Sequence, residues 1–143
     1  MSEEKKQNGW DPKIAAFLCN WCTYTGADLA GVSRLKSSPC VRIIRVMCSG
    51  RVDPTFVLKA FENGADGVFI GGCHFGDCHY SEGNYKTFRR VEFLKVFLEQ
   101  FGINPKRLRL EWISASEGDK YAATTLDFER EIRELGPLKL IKE

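Results

Sequence analysis

Apolar and polar positions alternate between two rhythms along this chain, and the switches between them mark out the elements. Residues 14–19 (IAAFLC) form a short apolar run, followed by turn-like residues and then by TGADLAGVSRL, which reads as a helix. Residues 41–47 (VRIIRVM) form a second, β-branched run. Asp53 and Pro54 supply an N-cap and a first-turn proline for a helix whose apolar side holds Phe56, Val57, Ala60 and Phe61, and Gly64 stops it. The run GVFIG at 67–71 is a third strand. A helix follows from about Glu82 to Phe101, with Phe88, Val91, Leu94, Leu98 and Phe101 stepping by three or four before Gly102 and Pro105.

The fourth strand, RLRLEWI at 107–113, strictly alternates. Leu108, Leu110 and Trp112 face one way and Arg107, Arg109 and Glu111 the other, which places it at a sheet edge with one wetter face. Ser114 and Glu117 form a capping box for the last helix. Its inner stripe is Tyr121, Thr125, Phe128, Ile132 and Leu135, and Gly136-Pro137 ends it. The order βαβαβαβα implies an α/β fold: one mostly parallel four-stranded sheet, Rossmann- or flavodoxin-like, with helices on both faces and right-handed crossovers. A polar tail (1–13), the α/β domain (14–136) and a C-terminal tail (137–143) are the expected divisions.

Composition narrows the class. The 143 residues fit one domain, 43% are hydrophobic and 28% charged, and the polar N-terminus lacks a signal peptide's apolar core. No apolar run approaches the roughly 20 residues of a membrane helix, so no membrane partner is expected. The net charge of +2 gives no reason to expect nucleic acid. A cytoplasmic location follows from these readings, and there structural disulfides rarely persist.

Cysteine departs from the ordinary: there are six. Cys19 ends the first strand, Cys22 lies in the turn after it, Cys48 follows the second strand, and Cys73 and Cys78 follow the third. All five fall at carboxyl ends of strands, the edge where open α/β sheets build ligand sites. Cys40 precedes the second strand and belongs to the opposite edge. Three chemistries compete for the five. A structural zinc site takes four tetrahedral ligands, usually two close pairs. A thioredoxin-like dithiol would use Cys19 and Cys22 as C-x-x-C but leaves Cys48, Cys73 and Cys78 unexplained. A [2Fe-2S] cluster takes four thiolates, and C-x2-C with C-x4-C are ferredoxin intervals, here split between loops. Gly50, Gly71, Gly72, Gly76 and Ser49 would let backbone N–H groups approach the sulfurs, and Arg51 would add positive charge, which favours the cluster.

His74 and His79 each adjoin a cysteine. Rieske-type ligation is one reading, and a supporting polar role the preferred one, because five thiols are available. Trp21 reads as a packing lid, and Arg42 and Arg45 as solvated charges. Nucleophilic cysteine catalysis would want a base and an orienting group that sequence adjacency does not provide. Phosphate-binding glycine motifs do not occur in the chain.

The strings FLCNWCTYTGADLAGVSR, VRIIRVMCSGRVDP, ENGADGVFIGGCHFGDCHY with EGNYK, and RLEWISASEG closely resemble the delta subunit of methyl-viologen-reducing, deazaflavin-non-reducing [NiFe] hydrogenase of methanogenic archaea. The resemblance covers about residues 14–120. It implies a small iron–sulfur subunit with one [2Fe-2S] cluster and no catalytic site of its own. Its partners would be the hydrogenase small and large subunits and the flavin-containing subunit of heterodisulfide reductase, within an electron-bifurcating complex. The cysteines that carry over are Cys19, Cys22, Cys48, Cys73 and Cys78. With four ligands needed, the preferred set is Cys22, Cys48, Cys73 and Cys78. Cys19 is left as the spare, because a strand-ending residue has less reach than a loop residue.

Overall fold

The computed structural model describes residues 11–36, 39–74 and 83–138. Four strands, β1 (Ile14–Cys19), β2 (Val41–Val46), β3 (Gly67–Gly72) and β4 (Leu108–Trp112), form one parallel sheet in the order β2-β1-β3-β4. They alternate with helices α1 (Thr23–Val32), α2 (Pro54–Glu62), α3 (Gly83–Gln100) and α4 (Gly118–Leu135). The expected α/β architecture is therefore present. Short 3-10 turns at Ser49–Arg51 and Pro105–Arg107 precede α2 and β4.

The chain leaves β1 in one direction, towards β2, and leaves β3 in the other, towards β4. Right-handed crossovers then put the intervening helices on opposite faces. Alternation along the strands sorts the two cores. Phe17, Val68, Ile70 and Leu108 pack with Val57 and Phe61 of α2 and with Val91, Leu94 and Leu98 of α3. Ile14, Ala16, Leu18 and Phe69 pack with Ala30 of α1 and with Tyr121, Phe128 and Ile132 of α4. Phe69 and Phe128 are wholly buried, and each such side chain contributes about 1.5–3 kcal/mol relative to exposure.

Local signals act where the sequence puts them. Asp53 caps α2, its carboxylate accepting from the Thr55 N–H at 2.9 Å. Gly64, Gly102 and Gly136 adopt left-handed φ at the ends of α2, α3 and α4. The Ser114–Glu117 box closes by half: Glu117 Oε1 accepts from the Ser114 N–H at 2.9 Å, while the Ser114 hydroxyl lies against that of Ser116. Arg107, expected on the wetter side of β4, is buried instead. Its guanidinium donates to the carbonyls of Asp66, Leu135 and Gly136, tying the end of α4 to the sheet. Arg109 does face α4 and its acids, at 2.8 Å from Asp127.

Three features differ from the pattern reading. β4 is an edge, as expected, but β2 is the other one and is open on both faces: Ile43 and Ile44 are each 44% exposed. A groove of about 680 Å³ beside it, lined by Cys40, Arg42, Ile44 and Asn63, forms where α2 stops short of β2. In α3 the buried row is Val91, Leu94 and Leu98. Phe88 and Phe101 are exposed, the latter in a second aromatic row with Phe93 and Phe97. Finally, Leu138, assigned to the C-terminal tail, packs on the first core, and its N–H donates to Asp66.

Candidate metal centre

Because the chain departs β1 and β3 in opposite directions, a crevice opens between their carboxyl ends, at the topological switch point of the sheet. Cys19 closes β1, Cys22 occupies the N-cap position of α1, and Cys73 follows β3, so all three flank that crevice. Their side chains converge. The Cys22 and Cys73 sulfurs are 2.6 Å apart and those of Cys19 and Cys73 3.7 Å apart, and all three lie within 4.8 Å of one another. None is more than 7% exposed, and none is in a disulfide.

Two glycines make the convergence sterically feasible. A Cβ at Gly71 would stand 2.3 Å from the Thr23 methyl, and one at Gly72 would meet Ser49 Oγ and Trp112 at 2.8 Å. Thr23, directly after Cys22, is fully buried and stitches the elements together. Its Oγ1 lies 3.2 Å from the Gly72 carbonyl and 3.2 Å from that of Ile113.

Cys48 is also at this edge and buried, 3% exposed. Its sulfur accepts from the Gly50 N–H at 3.4 Å and caps the 3-10 turn. Both of its neighbours touch the thiol site. The Met47 carbonyl is 3.8 Å from Cys19 Sγ, and Ser49 abuts Gly72. Cys78 and His79 lie outside the described residues. His74 extends the site on its other side: its Nε2 meets Glu117 Oε1, joining the residue after Cys73 to the start of α4. The structure thus brings together Cys19, Cys22 and Cys73, leaves Cys48 at the same edge outside that group, and directs His74 to a carboxylate. Trp21, expected as a packing lid, is 44% exposed. Cys40 sits at the opposite edge, as expected, donating to Glu129 at 3.1 Å. Thr23 and Glu117 were missed as site residues, although Thr23 adjoins the C-x-x-C and Glu117 carries the capping signal.

The electrostatics are those of three thiols sharing one negative charge. Hydrogen bonding with Cys22 and Cys73, aided by the backbone N–H groups of Trp21 and Cys22, pulls the Cys19 thiol down to about 3. The other two are pushed towards their protonated forms: Cys22 is raised to about 12, chiefly by Cys19, with Cys73 and then Thr23 opposing the rise, and Cys73 is raised by Cys19 and Cys22. A bound cation reverses this, because metal coordination requires and stabilises every thiolate at once. The donor set fits such a group. Two thiolates on one tetrahedral metal at about 2.3 Å stand about 3.8 Å apart, close to the Cys19–Cys73 separation. The Cys22–Cys73 contact lies between that spacing and a disulfide bond of about 2.05 Å.

Among the described residues no helix is long and apolar enough to cross a membrane. Comparison with known proteins gives a consistent picture. The family model described as methyl-viologen-reducing hydrogenase, delta subunit, matches residues 14–136. The iron-sulfur subunit of the vhc F420-non-reducing hydrogenase of Methanococcus voltae is 59% identical over 131 residues, 92% of this chain and 91% of that one. The iron-sulfur subunit of the F420-non-reducing hydrogenase of Archaeoglobus profundus is 55% identical over 97% of this chain and 98% of its own. A longer relative comes from the ferredoxin/F420H2-dependent CoB-CoM heterodisulfide reductase of Methanosarcina acetivorans. One subunit of that enzyme is 49% identical over 89% of this chain, a stretch that makes up 16% of its own length. With the family model spanning every described strand and helix, the chain belongs to the delta-subunit family of methyl-viologen-reducing hydrogenase.

Proposed function

We propose that this chain is the electron-transfer iron–sulfur subunit of a hydrogenase complex, holding a [2Fe-2S] cluster on the carboxyl-edge cysteines. It would pass electrons from a [NiFe] hydrogenase to the flavin-containing subunit of heterodisulfide reductase, in the electron-bifurcating chemistry of hydrogen-dependent methanogenesis, in the cytoplasm. The observation that carries this reading is the group of three buried thiols at the switch point. The relatives named as iron-sulfur subunits support it, since they align over nearly their whole length. Bound there, the cluster supplies one-electron oxidation and reduction and nothing else.

The residues of the chain provide the holding and the access. Cys19, Cys22 and Cys73 are the core of the ligand set, and Cys48 or Cys78 supplies the fourth thiolate. Counting Cys19 in the set, rather than as the spare, is supported by its sulfur lying 3.7 Å from that of Cys73. Trp21 and Met47, which adjoin Cys22 and Cys48 in the chain, are both about half exposed, and this supports a site close to the surface, where a relay between docked partners belongs. The heterodisulfide reductase partner is supported by the Methanosarcina relative, in which a domain like this one is built into the reductase polypeptide itself. The dithiol alternative on Cys19 and Cys22 has less behind it, since the Cys22 sulfur lies against Cys73.

Anaerobic purification with iron and acid-labile sulfide analysis, followed by EPR before and after dithionite, tests the reading. Two irons and two sulfides per chain and a spin-half signal on reduction are expected. One zinc and no iron would replace the reading with a zinc-stabilised adaptor. A metal-free protein, even after reconstitution, would replace it with the dithiol.

A further inference from the structure

Resting on the iron–sulfur reading above, we propose that Thr23 is the positioning residue of the thiol site. Without a metal its hydroxyl ties the Cys22 turn to the strand carrying Cys73, and it turns to donate to the Cys22 sulfur once that sulfur is a metal-bound thiolate. The hydroxyl is placed for both tasks. It is fully buried and lies 3.2 Å from the Gly72 carbonyl, 3.2 Å from the Ile113 carbonyl and 3.8 Å from Cys22 Sγ. A threonine has one hydroxyl hydrogen to give, so these three acceptors compete for it.

Occupancy of the site decides the competition. As a thiol, Cys22 donates its own hydrogen to Cys73, and the Thr23 hydrogen serves the carbonyls. Ligation removes the Cys22 hydrogen and leaves a charged sulfur, a stronger acceptor than a carbonyl that is already served. The Gly72 carbonyl is such a one, since it accepts from the Ile113 N–H at 2.9 Å. Turning the O–H about the Cβ–Oγ bond redirects it to Cys22 without moving a heavy atom. A donor to a ligand sulfur stabilises the reduced, more negative cluster and raises its potential. The methyl group explains why threonine suits the position better than serine: it fills the space that Gly71 leaves by lacking a Cβ.

The test compares the full-length wild type, Thr23→Val and Thr23→Ser, reconstituted anaerobically with iron and sulfide and titrated by EPR. Thr23→Val keeps the volume and loses the hydroxyl, while Thr23→Ser keeps the hydroxyl and loses the methyl. At a fixed solution potential near the wild-type midpoint, the reduced-to-oxidised ratio of Thr23→Val should fall about three- to tenfold, the worth of one hydrogen bond. Thr23→Ser should stay within about twofold of wild type. Loss of iron in Thr23→Val but not in Thr23→Ser would also support the hydroxyl's role. Thr23→Ala provides a second hydroxyl-free variant if circular dichroism shows the valine form unfolded. A Thr23→Val cluster that titrates with wild type overturns the proposal, as does equal loss of iron from the valine and serine forms. A wild-type chain that takes up no iron and sulfide instead overturns the iron–sulfur reading itself.

Discussion

The two ends of the sheet both carry cysteine, buried at one end and half-buried at the other, and they put it to opposite uses. At the carboxyl edge, Cys19, Cys22 and Cys73 lie against one another, with Cys73 touching both of the others. At the amino edge, Cys40 has a buried acid instead. Glu129 accepts from the thiol at 3.1 Å and from Arg133 at 3.0 Å, and Arg133 reaches Asp11 at 3.1 Å. Burial and Glu129 raise the Cys40 thiol to about 11, so it stays protonated as a small, weakly polar plug. Residue type is common to both edges. What differs is the topology, which gathers loops at the crevice between β1 and β3 and presents a helix flank to Cys40.

The sharpest way to break the contrast is Cys73→Ser, because Cys73 touches both other thiols of the group. The expected outcome is loss of essentially all bound iron on anaerobic preparation, read by metal analysis. A variant retaining full visible absorption would remove Cys73 from the ligand set. Next in size is Glu129→Ala at the other end. It removes one of the two acids that Arg133 touches and leaves Asp11 as the other, and losing a charge-assisted hydrogen bond of this kind costs about 1.5–3 kcal/mol. Chemical denaturation should show that loss while iron per folded chain stays at the wild-type value. If iron fell in proportion to stability, the two edges would not be independent.

Smaller effects sharpen the same comparison. Cys40→Ala removes one thiol donor from Glu129 and keeps Arg133, so a loss of about 1 kcal/mol with unchanged iron is expected by the same two measurements. The smallest concerns Glu117, which fastens the Cys73 side of the site to α4. The Ser114 N–H, then His74, lowers its carboxyl from 4.5 to about 2. Folding that lowers a carboxyl pKa adds stability that is complete above pH 4.5 and disappears as pH falls towards 2. Thermal midpoints of Glu117→Gln should therefore fall less steeply than those of wild type across that interval. Parallel slopes would show that the carboxylate contributes nothing measurable.

How much of this was legible beforehand differs by element. The caps at Asp53-Pro54, the glycine stops and the alternation in β4 are local signals, and each acts where it stands. The placement of five cysteines at carboxyl ends needed only the order of strands and helices, and the four described ones are at that edge. Exposure was harder. β2 is as β-branched as a central strand, yet neighbour order made it an edge. α3 carries apolar residues around much of its circumference, so the stepping of Phe88 and Phe101 could not say which row meets the sheet.

The sequence by itself determined the secondary structure, the fold class and the edge of the sheet where the thiols collect, because these depend on periodicity, capping and chain order. Only the tertiary structure decided that Cys19 joins Cys22 and Cys73, and that the hydroxyl of Thr23 lies among them. Those outcomes turn on where one side chain points after two loops from distant parts of the chain have packed. A missing Cβ at Gly71 and at Gly72 permits that approach, and a hydrogen bond across 49 residues, from Thr23 to Gly72, fixes it.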